Sequence, residues 1–302
     1  MSAVALSVAG HSLGAGVEGQ SICYITAANS HPYVTPANEG AQAAADAAGV
    51  ELTIVSEEFS PQTGAEQLNS CVSRNVDGIL LWPLDANSYL PGLLRAQQAG
   101  IPVVAIDTRA GEESMKLIAS FVGADKYAQG EVSAKQLEEA LGGSGDVVIL
   151  AGQAGNNTTI ERTEGFLAAK SEGINVLATV NADFDQQKAL VASRDLLTKY
   201  GDQIDGVYAE DDAMAEGFLQ ALKESGFDFQ PALIGIGGMK VAFDAIEAGD
   251  MHSTIMQPPF ENGRLAIETL TKVMAGETVD EVVPLPNIIV TRENIDEYEP
   301  AF

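Results

Sequence analysis

The sequence predicts an α/β protein built as two Rossmann-like, doubly wound parallel-sheet lobes. Three observations carry that expectation. Apolar segments of strand length alternate with helix-length segments almost without interruption from residue 22 to about residue 290. The runs GILLW and PVVAI are continuously apolar, as befits parallel strands covered on both faces. The alternation also starts afresh after SFVGAD, so two sets of βαβ units follow one another in a chain of 302 residues, long enough for two domains.

In order, ICYIT (22–26) reads as a buried strand. TPANEGAQAAADAAG follows as a helix of small residues stopped by Gly49, since glycine readily takes the left-handed conformation that ends helices. ELTIVS is the next strand, and TGAEQLNSCVSRN a helix with apolar residues at 68, 71 and 72. DGILLW is a strand, ANSYLPGLLRAQQAG a helix closed by Gly100 ahead of Pro102, and PVVAID a strand. Beyond SFVGAD come a helix over 126–141, a Gly-rich break, the strand DVVILAG and the helix NTTIERTEGFLAAKSEG. Strand NVLATV, helix 186–200, strand DGVYAE, helix 212–225, strand ALIGIG, helix 239–248 and a strand near STIMQ complete the second set. Helix FENGRLAIETLTKVMAG then precedes the strand NIIVT and an acidic tail.

Composition narrows the function. Sixteen basic residues against 43 acidic ones leave a formal charge of −27, which repels phosphate backbones and anionic lipids and keeps the chain soluble. No apolar run is long enough to span a bilayer. The opening MSAVALSVAGHSLGAGVEGQ contains a short apolar stretch without a preceding Lys or Arg; residues 1–20 read as a leader remnant or disordered tail outside the fold. Cys23 and Cys71 are the only cysteines and cannot build a four-ligand zinc site with the dispersed His11, His31 and His252. Two readings of the pair stand: buried apolar thiols, or a disulfide tying a strand to a helix, which needs an oxidising compartment.

In open α/β sheets ligands bind beyond the carboxyl ends of the strands, so the segments just after strands are the functional candidates. AANSHPY, WPLDAN, DTRAG, GADK, GQAGNN, NADFD, EDDAM, GGMK and QPP are rich in polar, hydrogen-bonding and aromatic side chains. That is equipment for a small polar ligand with CH surfaces. Trp82 is either core filler or a stacking plate, and Tyr33 and Phe184 on neighbouring loops favour an aromatic clamp. Asp107, Arg109 and Arg162 supply charge, though each alone is as readily a structural ion pair. GAGVEG (14–19) spells a dinucleotide fingerprint but precedes the first strand, the wrong context; GIGG (235–238) reads as a tight turn more readily than an anion nest. The sequence has no nucleophile elbow, metalloprotease motif or P-loop, and no enzymatic apparatus is visible.

These residues carry a resemblance. NSHPYVTPANEGAQAAADAAGVEL, VDGILLWPLDAN, AGIPVVAIDTR, VGADKYAQG, ILAGQAGNNTTIERTEGF, ADFDQQKAL, VYAEDDAMAEGFLQALKE and STIMQPPFENGRLAIE, in that order, make the chain similar to type I periplasmic sugar-binding proteins of ABC importers. The chain is also similar to LacI-type effector domains. The resemblance implies two lobes joined by a three-crossing hinge, residues 21–124 with 258–286 and residues 125–257 with 287–302, closing on ligand. His31, Tyr33, Trp82, Asp107 and Arg109 (or Thr108) would face ligand from the first lobe. Ala124, Gln153, Arg162, Phe184, Asp211 and Gln257 would do so from the second lobe and hinge. Ribose-type relatives carry Asn where His31, Trp82 and Asp211 stand, and an Asp in the loop that reads GIGGMK here, which points to another monosaccharide, a linear polyol or a modified sugar.

The expected protein is therefore a monomeric, exported solute-binding protein in the periplasm, with a monosaccharide or sugar-alcohol ligand and an ABC permease as partner. No cofactor, metal or nucleic acid is implied. The alternatives are a regulator's effector domain, which would bring a helix-turn-helix before the first strand, and a binder of amino acids or furanone-like signals. Within YAEDDAMAEG, strand alternation sends Glu210 and Asp211 to different sides. Asp212 is expected to cap the helix, Asp211 to face ligand and Glu210 to be a solvated or hinge-facing charge.

Overall fold

In the computed structural model, which describes residues 16–302, the chain opens with β1 (Ser21–Thr26), α1 (Val34–Ala48), β2 (Glu51–Ser56), α2 (Pro61–Ser73) and β3 (Gly78–Leu81). It continues through α3 (Leu90–Ala99), β4 (Val103–Ile106), the single turn α4 (Glu112–Met115) and β5 (Ser120–Ala124). A second lobe then runs α5 (Lys126–Ala140), β6 (Gly145–Ala151), α6 (Asn157–Ala169), β7 (Ile174–Asn181) and α7 (Gln186–Tyr200). It ends with β8 (Gly206–Ala209), α8 (Asp212–Ser225), β9 (Ala232–Gly237), α9 (Lys240–Ala248) and β10 (Ser253–Met256). The chain returns through α10 (Pro259–Met274) and β11 (Val282–Leu285) to the first sheet, and crosses back once more to add β12 (Ile288–Thr291) to the second.

The sheets have the orders β11-β5-β4-β3-β1-β2 and β12-β10-β9-β8-β6-β7. Strand order reverses on either side of β1 and of β6, and neighbours are parallel except for the antiparallel β10–β12 pair. The central strands β3, β4 and β8 are buried throughout, as their continuous apolar runs require. On the first sheet, α1 presents Ala37, Ala41 and Ala44 to the same core as Ala266, Ile267 and Leu270 of α10. Small residues there let the two helices approach closely.

Several expectations change. Val17 is fully buried in the first lobe's core and Gly19 N–H bonds to the Gly49 carbonyl, so residues 16–20 belong to the fold and are not tail. The leader reading of residues 1–15, and the first part of GAGVEG, lie outside the described residues. Helix α3 starts at Leu90, because the Asp85 carboxylate accepts the Asn87 and Ser88 N–H groups and holds that stretch in a turn. β11 was not legible: it is a four-residue edge strand containing Pro284, tolerated there because an edge leaves one side unpaired.

Cys23 in β1 and Cys71 in α2 are joined as a buried disulfide, so the free-thiol alternative is excluded. The Arg74 guanidinium donates to both sulfurs. Among the described residues no helix is long and apolar enough to cross a membrane.

Candidate ligand-binding cleft

Segments leaving the C-terminal ends of strands in both sheets meet around one cleft with about 590 Å³ of empty space, its open mouth included. Three of its lining residues, Phe59, Asp107 and Phe184, have positive φ (55°, 64° and 56°). A non-glycine residue there costs about 1–2 kcal/mol. Such strain persists where the surroundings fix a side chain for a purpose.

Asp107 organises the first lobe's wall. Its Oδ1 accepts from Tyr33 Oη (2.9 Å), Lys126 Nζ (2.9 Å) and Asn262 Nδ2 (3.2 Å), while Oδ2 takes only a long bond from Thr108. One oxygen is saturated and the other carries only that long bond. Lys126 also donates to Gln257 Oε1 (2.8 Å), and at 2 % exposure its amine is held below its usual pKa by burial, opposed by Asp107. Burial and the Asp107 charge push the Tyr33 phenol well up, so it stays a proton donor.

On the second lobe Arg162, 4 % exposed, uses Nε on Gln129 Oε1 (2.9 Å) and Nη1 on the Glu210 carbonyl. The rest of its planar fork belongs to the cleft wall. The three adjacent acids take different roles from those expected. Asp211 is the α8 N-cap: its backbone is extended and Oδ1 accepts the Met214 N–H at 2.7 Å, and the same carboxyl lines the cleft. Asp212 is already helical, and its carboxylate turns back to accept from Gly238 N (2.7 Å), Met239 N (2.9 Å) and Thr254 Oγ1. The helix has the expected bounds, 212–225, and because Asp212 is its first helical residue the cap falls to Asp211. The GIGG turn does form an anion nest, with Gly237 and Gly238 at φ 146° and 81°, and Asp212 itself fills it. Glu210 is neither solvated nor hinge-facing: it is fully buried, accepting from Gly152 N (2.9 Å) and the Thr163 hydroxyl. Burial raises all three, Glu210 and Asp212 to about 7 and Asp211 to about 6.

Aromatic rings complete the enclosure. Tyr33 stands edge-on to both Trp82 (6.0 Å) and Phe302 (5.6 Å), and His31 edge-on to Phe59 (5.5 Å). Phe184 lies against Gly152, where any Cβ would collide with the ring. His31 Nδ1 accepts the Tyr33 N–H, so Nε2 carries the proton; it lies 3.9 Å from Asp211 Oδ2. Burial lowers the imidazole's pKa and keeps it neutral.

A family model described as periplasmic binding protein domain matches residues 22–278. The chain belongs to the periplasmic binding protein family. Within this family it is 32 % identical over 276 residues to the xylitol-binding protein of Mycolicibacterium smegmatis, covering 90 % of this chain and 77 % of that one. It is 29 % identical to the ribose import binding protein RbsB of Escherichia coli, covering 90 % and 91 %. Among solved structures, an ABC transporter solute-binding protein from Mycobacterium smegmatis with bound glycerol superposes with TM-score 0.85 at 31 % identity, over 92 % of this chain and 96 % of that one. One from Actinobacillus succinogenes with bound D-allose gives 0.85 at 26 %, over 92 % and 100 %.

Of the residues that family likeness singled out, His31, Tyr33, Trp82, Asp107, Arg162, Phe184, Asp211 and Gln257 line the cleft together. Gln153 does not: its amide donates to the Phe59 carbonyl at 3.2 Å and spans the two lobes instead. Arg109 does not either. Its guanidinium lies 4.4 Å over the Phe121 ring, because the chain has turned away by then, and Thr108 takes the cleft position. Ala124 is buried at the end of β5. Lys126, Thr158, Phe59 and Phe302 were missed. Lys126 stood in the candidate loop GADK, where a lysine behind the apolar FVGA was the available signal.

Proposed function

We propose that this member of the family is the solute-binding component of an ABC importer. It traps one neutral monosaccharide or sugar alcohol between its lobes and presents the closed form to a membrane permease. The observation that carries this reading is the charge balance of the cleft. Two carboxylates, Asp107 and Asp211, face two cations, Lys126 and Arg162, and the histidine is neutral. Lys126 is paired with Asp107, and the Arg162 charge acts on Asp211, so the cleft is balanced as it stands and a ligand bringing net charge would unbalance it. A hydroxyl suits every group present, accepting from Arg162 or His31 and donating to Asp107 or Asp211. CH faces suit Trp82, Tyr33 and Phe184. The relatives' names support the same chemistry, since xylitol, ribose and D-allose are all neutral and polyhydroxylated. His31, Tyr33, Trp82, Asp107, Arg162, Phe184, Asp211 and Gln257 are the proposed ligand contacts. The protein acts as an exported monomer in the periplasm, a location in keeping with its disulfide, and releases its ligand unchanged.

The test is a thermal-shift screen against pentoses, hexoses, four- to six-carbon polyols and the amino acids, followed by calorimetry and mass analysis of recovered ligand. A ligand 100-fold above its Kd adds about 2.7 kcal/mol to stability, a rise of several degrees. A sugar or polyol hit, bound at one site and recovered intact, is expected. A shift with an amino acid and with no sugar or polyol overturns the reading.

A further inference from the structure

We propose that Phe302 is a specificity-determining residue that closes one end of the cleft and limits the ligand's length. This rests on the sugar or polyol reading above. The segment leading to Phe302 is anchored to the second lobe: Ile295 lies in its core, and Tyr298 and Ala301 pack on the same cluster. Ala301 N–H bonds to the Gly238 carbonyl (2.8 Å), and the Phe302 carbonyl accepts from Lys240 N (2.9 Å). The backbone is thereby pinned across the 237–240 turn, and the ring joins the cleft lining.

That turn presents no side chain of its own at Gly237. A Cβ built there would meet Asp212 Oδ2 at 2.9 Å and Phe302 Cζ at 3.6 Å, so the ring lies within van der Waals reach of the glycine, beside the Asp212 carboxylate. The ring meets Tyr33 of the opposite lobe edge-on at 5.6 Å, and the wall is therefore complete only when the lobes are together. It offers no hydrogen bond. A ligand end pressed against it must present CH surface, and a chain one CHOH unit longer would push a hydroxyl into an apolar ring that cannot satisfy it. The ligand class this favours is a compact polyol or sugar whose terminal carbon ends short of Phe302.

The experiment compares the full-length protein with Phe302→Ala and Phe302→Leu by calorimetry on two pairs of probes, xylitol with D-sorbitol and D-ribose with D-allose. Each pair differs by one hydroxylated carbon. The quantity read is the ratio of Kd for the five-carbon probe to Kd for the six-carbon one. Phe302→Ala is expected to shift it about 10-fold or more towards the six-carbon probe, the discrimination one such group commands in a fitted pocket. Phe302→Leu should shift it by an intermediate amount, and ligand-free melting temperatures check that both variants fold. If Phe302→Ala does not fold, the Leu variant decides, with a shift of at least three-fold expected. A wild-type protein that binds a pair while the folded variants leave its ratio within three-fold overturns this proposal alone. A wild-type protein that binds none of the four probes overturns this proposal, whereas the functional reading falls only by the thermal-shift screen above.

Discussion

Replacing Asp212 with alanine should unfold the protein more easily without touching the ligand site, whereas replacing Asp211 with serine should do the reverse. Among the described residues Asp212 is the sole acceptor for the Met239 N–H, and it also holds Gly238 N–H and the Thr254 hydroxyl. After truncation Gly238 N–H keeps Thr254 Oγ1 at 3.2 Å, while Met239 N–H and the threonine hydroxyl lose their acceptor. Each buried group left unsatisfied costs about 1–3 kcal/mol. Removing an ionised buried carboxylate returns part of that sum, so a net loss of about 2–4 kcal/mol is expected at pH 8, above the raised pKa of about 7. Serine at 211 can still accept the Met214 N–H, so stability should fall by less than about 1 kcal/mol. It withdraws the carboxylate from the cleft, and ligand affinity should drop at least ten-fold, as expected when a charge-assisted hydrogen bond is lost. Urea unfolding followed by circular dichroism gives the stabilities, and calorimetry on the folded variants gives the affinities. An Asp212→Ala protein within about 0.5 kcal/mol of wild type, or one that binds ligand as poorly as Asp211→Ser, would refute the division of roles.

Two further expectations concern the scaffold. Denatured, unreduced protein should show no free thiol, and because the Cys23–Cys71 link spans 48 residues, its removal by Cys23→Ala with Cys71→Ala should cost about 2–4 kcal/mol in urea unfolding. Stability should fall as pH rises from 5 to 9: Glu210 and Asp212 (about 7), Asp211 (about 6) and Glu57 (about 9, buried beneath Tyr89) bind protons more tightly folded than unfolded. Melting temperatures across that range should therefore decline with pH, and Glu57→Gln should flatten the decline between pH 7 and 9; a melting temperature that rises with pH would contradict these assignments.

The layered fold was legible because its signals are redundant. Every central strand is a continuous apolar run, and Gly49 and Gly100 both end helices in the left-handed conformation, as their positions implied. The cleft was legible as a set of loops, because parallel strands deliver their ends to one side. Spacing placed α8 at its observed bounds, but which of two adjacent acids caps it depends on the extended backbone at Asp211, and spacing does not carry backbone angles. Gln153 and Arg109 show the same limit along a loop: the right segment was found, but where the backbone turns decides which side chain enters. Phe302 was invisible for a different reason. No strand precedes it directly, and it reaches the cleft through backbone bonds to a turn distant in sequence.

The placement of buried Lys126 follows from the chain crossings. Lys126 comes immediately after the first crossing and Gln257 immediately before the second, so in the proposed hinge motion the Asp107–Lys126–Gln257 chain would lie where opposing lobes move least. A buried ion pair separated on every opening would incur repeated desolvation changes of several kcal/mol. Placed at the pivot, it stays paired. The contacts that opening breaks are of another kind. Gln153 to the Phe59 carbonyl, Asn157 to the Arg109 carbonyl and Thr108 to Thr158 are neutral hydrogen bonds from the β6–α6 region, remote in sequence from every crossing. Each is worth about 0.5–1.5 kcal/mol net, enough together to favour closure and too little to lock it. On the proposed trapping cycle the ligand supplies the difference, through Asp211 and Arg162 on one lobe and Asp107 and Tyr33 on the other. Closure then depends on occupancy, while the charges that would be costliest to expose remain paired in both states.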